Sequence, residues 1–148
     1  MKPLIAKLGI NRVLSIFPSS KGFGYAVFES PRMPVDWGAV RVNGKKNKGT
    51  LTKIKKLIKV FKPDHILLRD EPNKNSHVKR IQKLCMEIEE LAQEQGIQVS
   101  YYTRSMVKRY FKRFDAISKD EIARAIVRMM PEFRLRLPRF RKTWMSED

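Results

Sequence analysis

Residues 13–29, VLSIFPSSKGFGYAVFE, decide the architecture. An apolar run (Val13, Leu14, Ile16) enters a Pro18-Ser-Ser-Lys-Gly22 turn, and a second segment with Phe23, Tyr25 and Val27 at alternate positions returns from it. Period-two alternation on either side of a Pro/Ser/Gly turn is the pattern of a β-hairpin. Gly22-Phe-Gly24 belongs to that hairpin and is not a phosphate loop, because no helix follows it. Further along, residues 35–42 (VDWGAVRV) read as a third strand with Trp37, Ala39 and Val40 as packing residues. Residues 43–49, NGKKNKG, read as a basic turn. Leu51, Ile54, Leu57, Ile58 and Phe61 recur at helical spacing and predict an amphipathic helix over 50–61. Lys62-Pro63-Asp64 stops it, and Ile66-Leu67-Leu68 forms a short buried strand.

The next helix is expected over 76–95, with Val78, Ile81, Leu84, Cys85, Ile88 and Leu91 on one face and Gly96 as its stop. Residues 97–102 alternate like a strand, and at least one of Tyr101 and Tyr102 is expected in the core. Thr103 caps a short helix whose inner face carries Val107, Tyr110 and Phe111. Ser118-Lys-Asp-Glu121 has capping-box spacing and opens a last helix through Met130. The order βββαβαβαα predicts an α/β fold with a mixed sheet, in a single domain over 1–148. Residues 1–12 read as a basic arm or an organelle-targeting remnant, and 131–148 as a basic tail.

The chain has 148 residues, 42% hydrophobic and 32% charged, which is a globular rather than a disordered composition. Its formal net charge is +17. So large an imbalance opposes compaction by self-repulsion unless a polyanion is the neighbour, which points to nucleic acid. The single cysteine, Cys85, excludes an internal disulfide and suits a reducing compartment. No apolar run approaches a membrane span, and a cytoplasmic location at the nucleoid or ribosome is expected. His65 and His77 lack the spacing of a zinc site.

The hairpin IFPSSKGFGYAVFE, the KPDHILLRD strand, the VKRYF helix start and the SKDEIARAIVRMMP helix together resemble the RuvC-type Holliday junction resolvases of the RNase H-like superfamily. The resemblance covers nearly the whole chain. It implies a five-stranded mixed sheet and a carboxylate cluster holding two divalent ions for phosphodiester hydrolysis. In that family the ligands come from the first strand, the end of the fourth strand, and a last helix with an aspartate pair. Here the first position is Phe17 and the second falls on Arg69. Neither is an oxygen ligand, and Mg²⁺ takes oxygen ligands. Asp70 and Glu71 are adjacent substitutes, but alternation turns Asp70 to the other face unless a bulge intervenes. The family's last helix would begin near Trp144-Met-Ser-Glu-Asp148, where Glu147 and Asp148 are the acids. Phe17 is then expected to fill, as a core residue, the space of the metals.

The cations are clustered. Residues 41–62 carry Arg41, Lys45, Lys46, Lys48, Lys53, Lys55, Lys56, Lys59 and Lys62 without an acid. Residues 104–113 carry Arg104, Lys108, Arg109, Lys112 and Arg113, again without an acid, and Arg139 and Arg141 follow in the tail. A lysine run is commonly just a solvated helix face, and for Lys53, Lys55 and Lys59 that reading competes. Lys108 and Lys119 align with lysines that lie beside phosphates in the resolvases. The expected function is a degenerate, RuvC-like pseudonuclease that binds branched or duplex DNA, or structured RNA, without cutting. Its expected contacts are Lys45, Lys46, Lys48, Arg104, Lys108, Arg109, Lys112, Arg113, Lys119, Arg139 and Arg141. No cofactor is expected. The alternatives are a divergent Mg²⁺-dependent endonuclease using Asp70, Glu71 and Asp148, an RNA-binding component of a ribonucleoprotein such as a ribosome, and a protein-interaction module. A homodimer is left open.

Overall fold

The computed structural model describes residues 12–70 and 76–136, and the chain divides at Thr103/Arg104 into two compact units. The first unit is built on a five-stranded sheet in the order β3-β2-β1-β4-β5. β1 (Val13–Pro18), β2 (Gly22–Ser30) and β3 (Met33–Arg41) form an antiparallel meander. Helix α1 (Lys46–Phe61) leads to β4 (His65–Arg69), which pairs parallel with β1. Helix α2 (Ser76–Glu94) leads to β5 (Gln98–Tyr102), parallel to β4. The mixed α/β sheet is the one the element order predicts.

Alternation selects the two faces of this sheet. Leu14 and Ile16 of β1 and Ile66 and Leu68 of β4 are fully buried, and they share a cluster with Ile54 and Ile58 of α1 and Ile81, Leu84, Cys85, Ile88 and Ala92 of α2. Successive strand residues point to opposite faces. Ser15, Phe17, Leu67 and Arg69 therefore belong to the other face. Helix α1 buries Thr50, Ile54 and Ile58 at four-residue spacing, one stripe of the helix. Helix α2 ends before Gly96, whose φ of 71° is the left-handed conformation that suits a helix stop.

Helix α1 begins earlier than its apolar spacing predicts, because Lys46–Gly49 form its first turn instead of a loop. Tertiary contacts override the turn-like composition. Asn47 Nδ2 donates to the Arg80 carbonyl (3.1 Å), and Arg80 Nη1 donates back to Asn47 Oδ1 (2.8 Å). Gly49 lies against Val42, where a Cβ would collide with Val42 Cγ1. The residue that looked like a turn glycine is needed for a close helix–strand approach.

Arg12 is a clamp at the opposite end of the sheet. Its backbone N–H donates to Asp64 Oδ2 (3.1 Å), its Nη1 to the Phe61 carbonyl (2.8 Å), and its Nη2 pairs with Glu29. The start of β1 is thereby tied to the end of α1. The rest of the N-terminal arm lies outside the described residues.

The second unit contains α3 (Arg104–Lys112), α4 (Lys119–Met129) and a 3₁₀ helix (Pro131–Arg136). The capping box at α4 forms as its spacing predicts: Glu121 N–H donates to Ser118 Oγ (3.1 Å), and Ser118 N–H donates to Glu121 Oε1 (3.1 Å). Ala116 and Ala125 are buried. Helix α3 buries no residue. Among the described residues no helix is long and apolar enough to cross a membrane.

Candidate nucleic-acid interface

β1, β4 and β5 run parallel, so their C-terminal ends open on one edge of the sheet, where ligands of open α/β folds commonly bind. Phe17 and Arg69 meet there. They follow directly on the paired positions Ile16 and Leu68, on the sheet face opposite the α1/α2 core. The Arg69 guanidinium carbon lies 4.9 Å from the centroid of the Phe17 ring. Phe17 is 42% exposed, so it is not the core residue expected from its apolar character. Its ring serves as the floor for a cation, a contact worth about 0.5–1 kcal/mol at an accessible site. Neither side chain offers an oxygen to a divalent metal, so the pair does not fit the ion that the resemblance implies.

Asp70 does not join them. The β4–β5 ladder runs without a shift to Arg69 and Tyr102, and the Asp70 N–H donates to the Tyr102 carbonyl (2.8 Å). Alternation places its carboxylate on the α2 side of the sheet. Tyr101 holds its proton well above the usual phenol range, first because burial disfavours the phenolate, then because its hydroxyl donates to Glu89 Oε1 (2.7 Å), with the Asp70 charge contributing. Tyr101 pairs with the core residue Leu68, and its hydroxyl reaches Glu89 of α2. Neither tyrosine of this strand is fully buried: Tyr101 is 38% exposed and Tyr102 half-buried. Glu71, Glu147 and Asp148 lie outside the described residues. Among the described residues no three His, Cys, Asp or Glu side chains are grouped to hold a metal. His65 Nε2 instead pairs with Ser100 Oγ (2.7 Å).

Beside this edge the β1–β2 turn, the end of β3 and the start of α1 converge. Val42 N–H donates to the Lys21 carbonyl (2.9 Å), and Arg80 Nη2 donates to the Ser19 carbonyl (2.9 Å). Arg80 therefore joins the hairpin turn to α1 through Asn47. This positioning role was not visible in the sequence, because a lone arginine on an amphipathic helix looks like any other solvated cation. The result brings exposed Lys21, Arg41, Lys45 and Lys48 to one rim. Lys46 is half-buried and its ammonium donates to the Val42 carbonyl, so its charge is engaged in the fold. Lys45, Lys48, Lys55 and Lys83 edge a shallow groove of about 420 Å³ between α1 and α2, with Glu87 the acid in its lining.

In the second unit Arg104, Lys108, Arg109, Lys112, Arg113 and Lys119 are all exposed. The expected inner face of α3 is only partly formed: Val107 and Phe111 are half-buried, whereas Tyr110 is 42% exposed with the Arg113 guanidinium 4.6 Å from its ring centroid. A short helix with so little apolar surface on its covered side cannot hide every ring that its spacing aligns. Arg139 and Arg141 lie outside the described residues.

The five-stranded sheet ordered 3-2-1-4-5, with β4 and β5 parallel to β1, belongs to a fold that solved structures share. T. thermophilus RuvC in complex with a Holliday junction substrate superposes with a TM-score of 0.66 at 16% identity, over 82% of this chain and 80% of that one. The fold is RuvC-like. A second Thermus thermophilus RuvC structure gives a TM-score of 0.59 at 17% identity, over 78% and 80% of the two chains. No family model matches the sequence, and no curated protein does. The RuvC-like fold is thus carried by topology and burial pattern rather than by a close sequence match. Within it, the strand-end edge of the first unit places the Arg69 guanidinium carbon over the Phe17 ring.

Proposed function

We propose that this chain binds structured nucleic acid through its basic surface and does not cut it. The observation that carries the reading is the Arg69 guanidinium carbon lying over the Phe17 ring at the C-terminal ends of β1 and β4. By resemblance these two positions belong to metal-binding carboxylates, and a ring with a cation reverses the sign of the site. A site that repels divalent cations and carries a guanidinium is suited to a phosphate oxygen. A guanidinium presents N–H donors in a fixed fork that matches the oxygens of a phosphate. The rim of Lys21, Arg41, Lys45 and Lys48 supports the same reading, since each phosphate neutralised releases condensed counterions whatever the base sequence.

Branched DNA is the favoured partner, because the RuvC that shares the fold was solved with a Holliday junction substrate. Structured RNA, bound by shape and backbone, is the competitor that an assay must separate. The test is an end-labelled four-way junction incubated with the protein in Mg²⁺ and in Mn²⁺, read by a native and a denaturing gel. The expected result is a shifted junction with intact strands. Paired incisions that vanish with EDTA and in Asp70→Asn would overturn the reading and restore a nuclease. Absence of binding to junction and folded RNA at near-physiological salt would instead leave a protein-interaction module.

A further inference from the structure

Helix α3 and the turn after it carry exposed apolar side chains. Met106, Tyr110 and Phe114 follow one another at four-residue spacing and are 51%, 42% and 37% exposed. Tyr110 and Phe114 lie with ring centroids 5.7 Å apart, and Phe111 stands edge-on to Tyr110 at 5.1 Å. The Arg113 guanidinium covers the Tyr110 ring at 4.6 Å. Arg104, Lys108, Arg109 and Lys112 complete the helix, which contains no acid, and Asp115 follows Phe114 in the turn.

We infer that this ridge is a stacking platform for unpaired nucleobases, with Tyr110, Arg113 and Phe114 as its stacking groups. An exposed apolar ridge fits several partners in principle, and the charge around it chooses between them. A second copy of this chain would bring another acid-free cationic helix against the first. An acidic protein would satisfy the cations but would leave flat rings and a flat guanidinium without purpose. Unpaired bases satisfy both at once. Their π-faces stack on aromatic rings and on arginine planes, while the attached phosphates meet the flanking cations. Such contacts tolerate any base, in keeping with the sequence-independent phosphate contacts proposed for the first unit. The inference rests on the nucleic-acid reading above and adds the element of structure recognised: a strand whose bases are out of the duplex.

The experiment measures anisotropy of two labelled DNAs with the full chain. One is a blunt duplex, and the other is the same duplex with an unpaired tail containing 2-aminopurine. Wild-type protein is expected to favour the tailed DNA and to quench the 2-aminopurine. Tyr110→Leu with Phe114→Leu keeps the apolar bulk and removes the rings. It should weaken binding of the tailed DNA by about fivefold or more and abolish quenching, with blunt-duplex binding unchanged. Tyr110→Phe should behave as wild type, which guards against a folding defect in the double variant. Equal tailed-DNA binding and quenching by the Leu variant and wild type would overturn the platform and leave the basic-surface reading intact. A wild-type dimer that the Leu variant dissolves, with binding unchanged, would assign the ridge to a second copy and overturn it as well. Failure of wild type to bind either DNA would sink the nucleic-acid reading itself, and the platform with it.

Discussion

Helices α1 and α3 look alike in charge and differ in what they bury. Each is rich in cations and lacks an acid over its own length. Helix α1 sinks Thr50, Ile54 and Ile58 completely or nearly so into the core, and its lysines occupy the remaining, solvated side. Helix α3 fully buries nothing, and Tyr110 stands exposed among its cations while Phe111 is half covered. Basic residues beyond the first turn of α1 are therefore explained by the need to keep the outside of a structural helix wet. On α3 that explanation covers the cations and leaves Tyr110 and Phe114 unaccounted for. Charge count alone does not separate a structural helix from a recognition helix; the presence or absence of a buried stripe does.

The sharpest way to break this contrast is Ile54→Ala set against Tyr110→Leu. Truncating Ile54 should cost about 2–5 kcal/mol in urea unfolding, through lost burial and the cavity left behind. Tyr110→Leu should stay within about 0.5 kcal/mol of wild type, as exposed positions do. Similar losses from both would mean that α3 is as structural as α1. Next in size is Gly49→Ala, which forces a methyl group onto Val42 and should destabilise by about 1–3 kcal/mol. No change in its denaturation midpoint would show that the start of α1 is loosely held. Smaller again is Arg69→Gln. Loss of one phosphate contact should lower the salt slope of junction binding by about 0.9, with stability nearly unchanged. The least effect belongs to Lys53→Gln with Lys56→Gln on the solvated side of α1. Each should alter the salt slope less than Arg69→Gln does, and a larger change would move α1 into the recognition surface.

Much of the fold is legible in residues 13–70. Alternation marks β1 and β2, helical spacing marks α1, and the Ser118–Glu121 pair marks the start of α4. Each of these signals is carried by neighbours in the chain. The residues at the two positions that the resemblance implies as ligands, Phe17 and Arg69, are equally plain, since they can be read without any contact. Their relation to each other is not legible, because it depends on the parallel pairing of β1 with β4 across a crossover. An isolated phenylalanine in an apolar run looks like core, and only the register shows that it faces away from Leu14 and Ile16. Lys46–Gly49 failed as a turn for the same reason, since Arg80 and Val42 hold that segment from other elements.

Charge, periodicity and capping are local properties, so they follow from the order of residues: a strongly basic α/β chain with a hairpin first and two crossover helices after it. Which cations stand free at a rim and which are engaged in the fold is a question of distance between segments far apart in sequence. Lys45 and Lys46 are neighbours, yet one is exposed and the other donates its ammonium to the Val42 carbonyl. Tyr110 and Phe111 are neighbours too, and packing leaves one exposed and the other half covered. Chain order sets what each residue can do, and the meeting of distant segments in the folded chain selects which of those capacities reaches the surface.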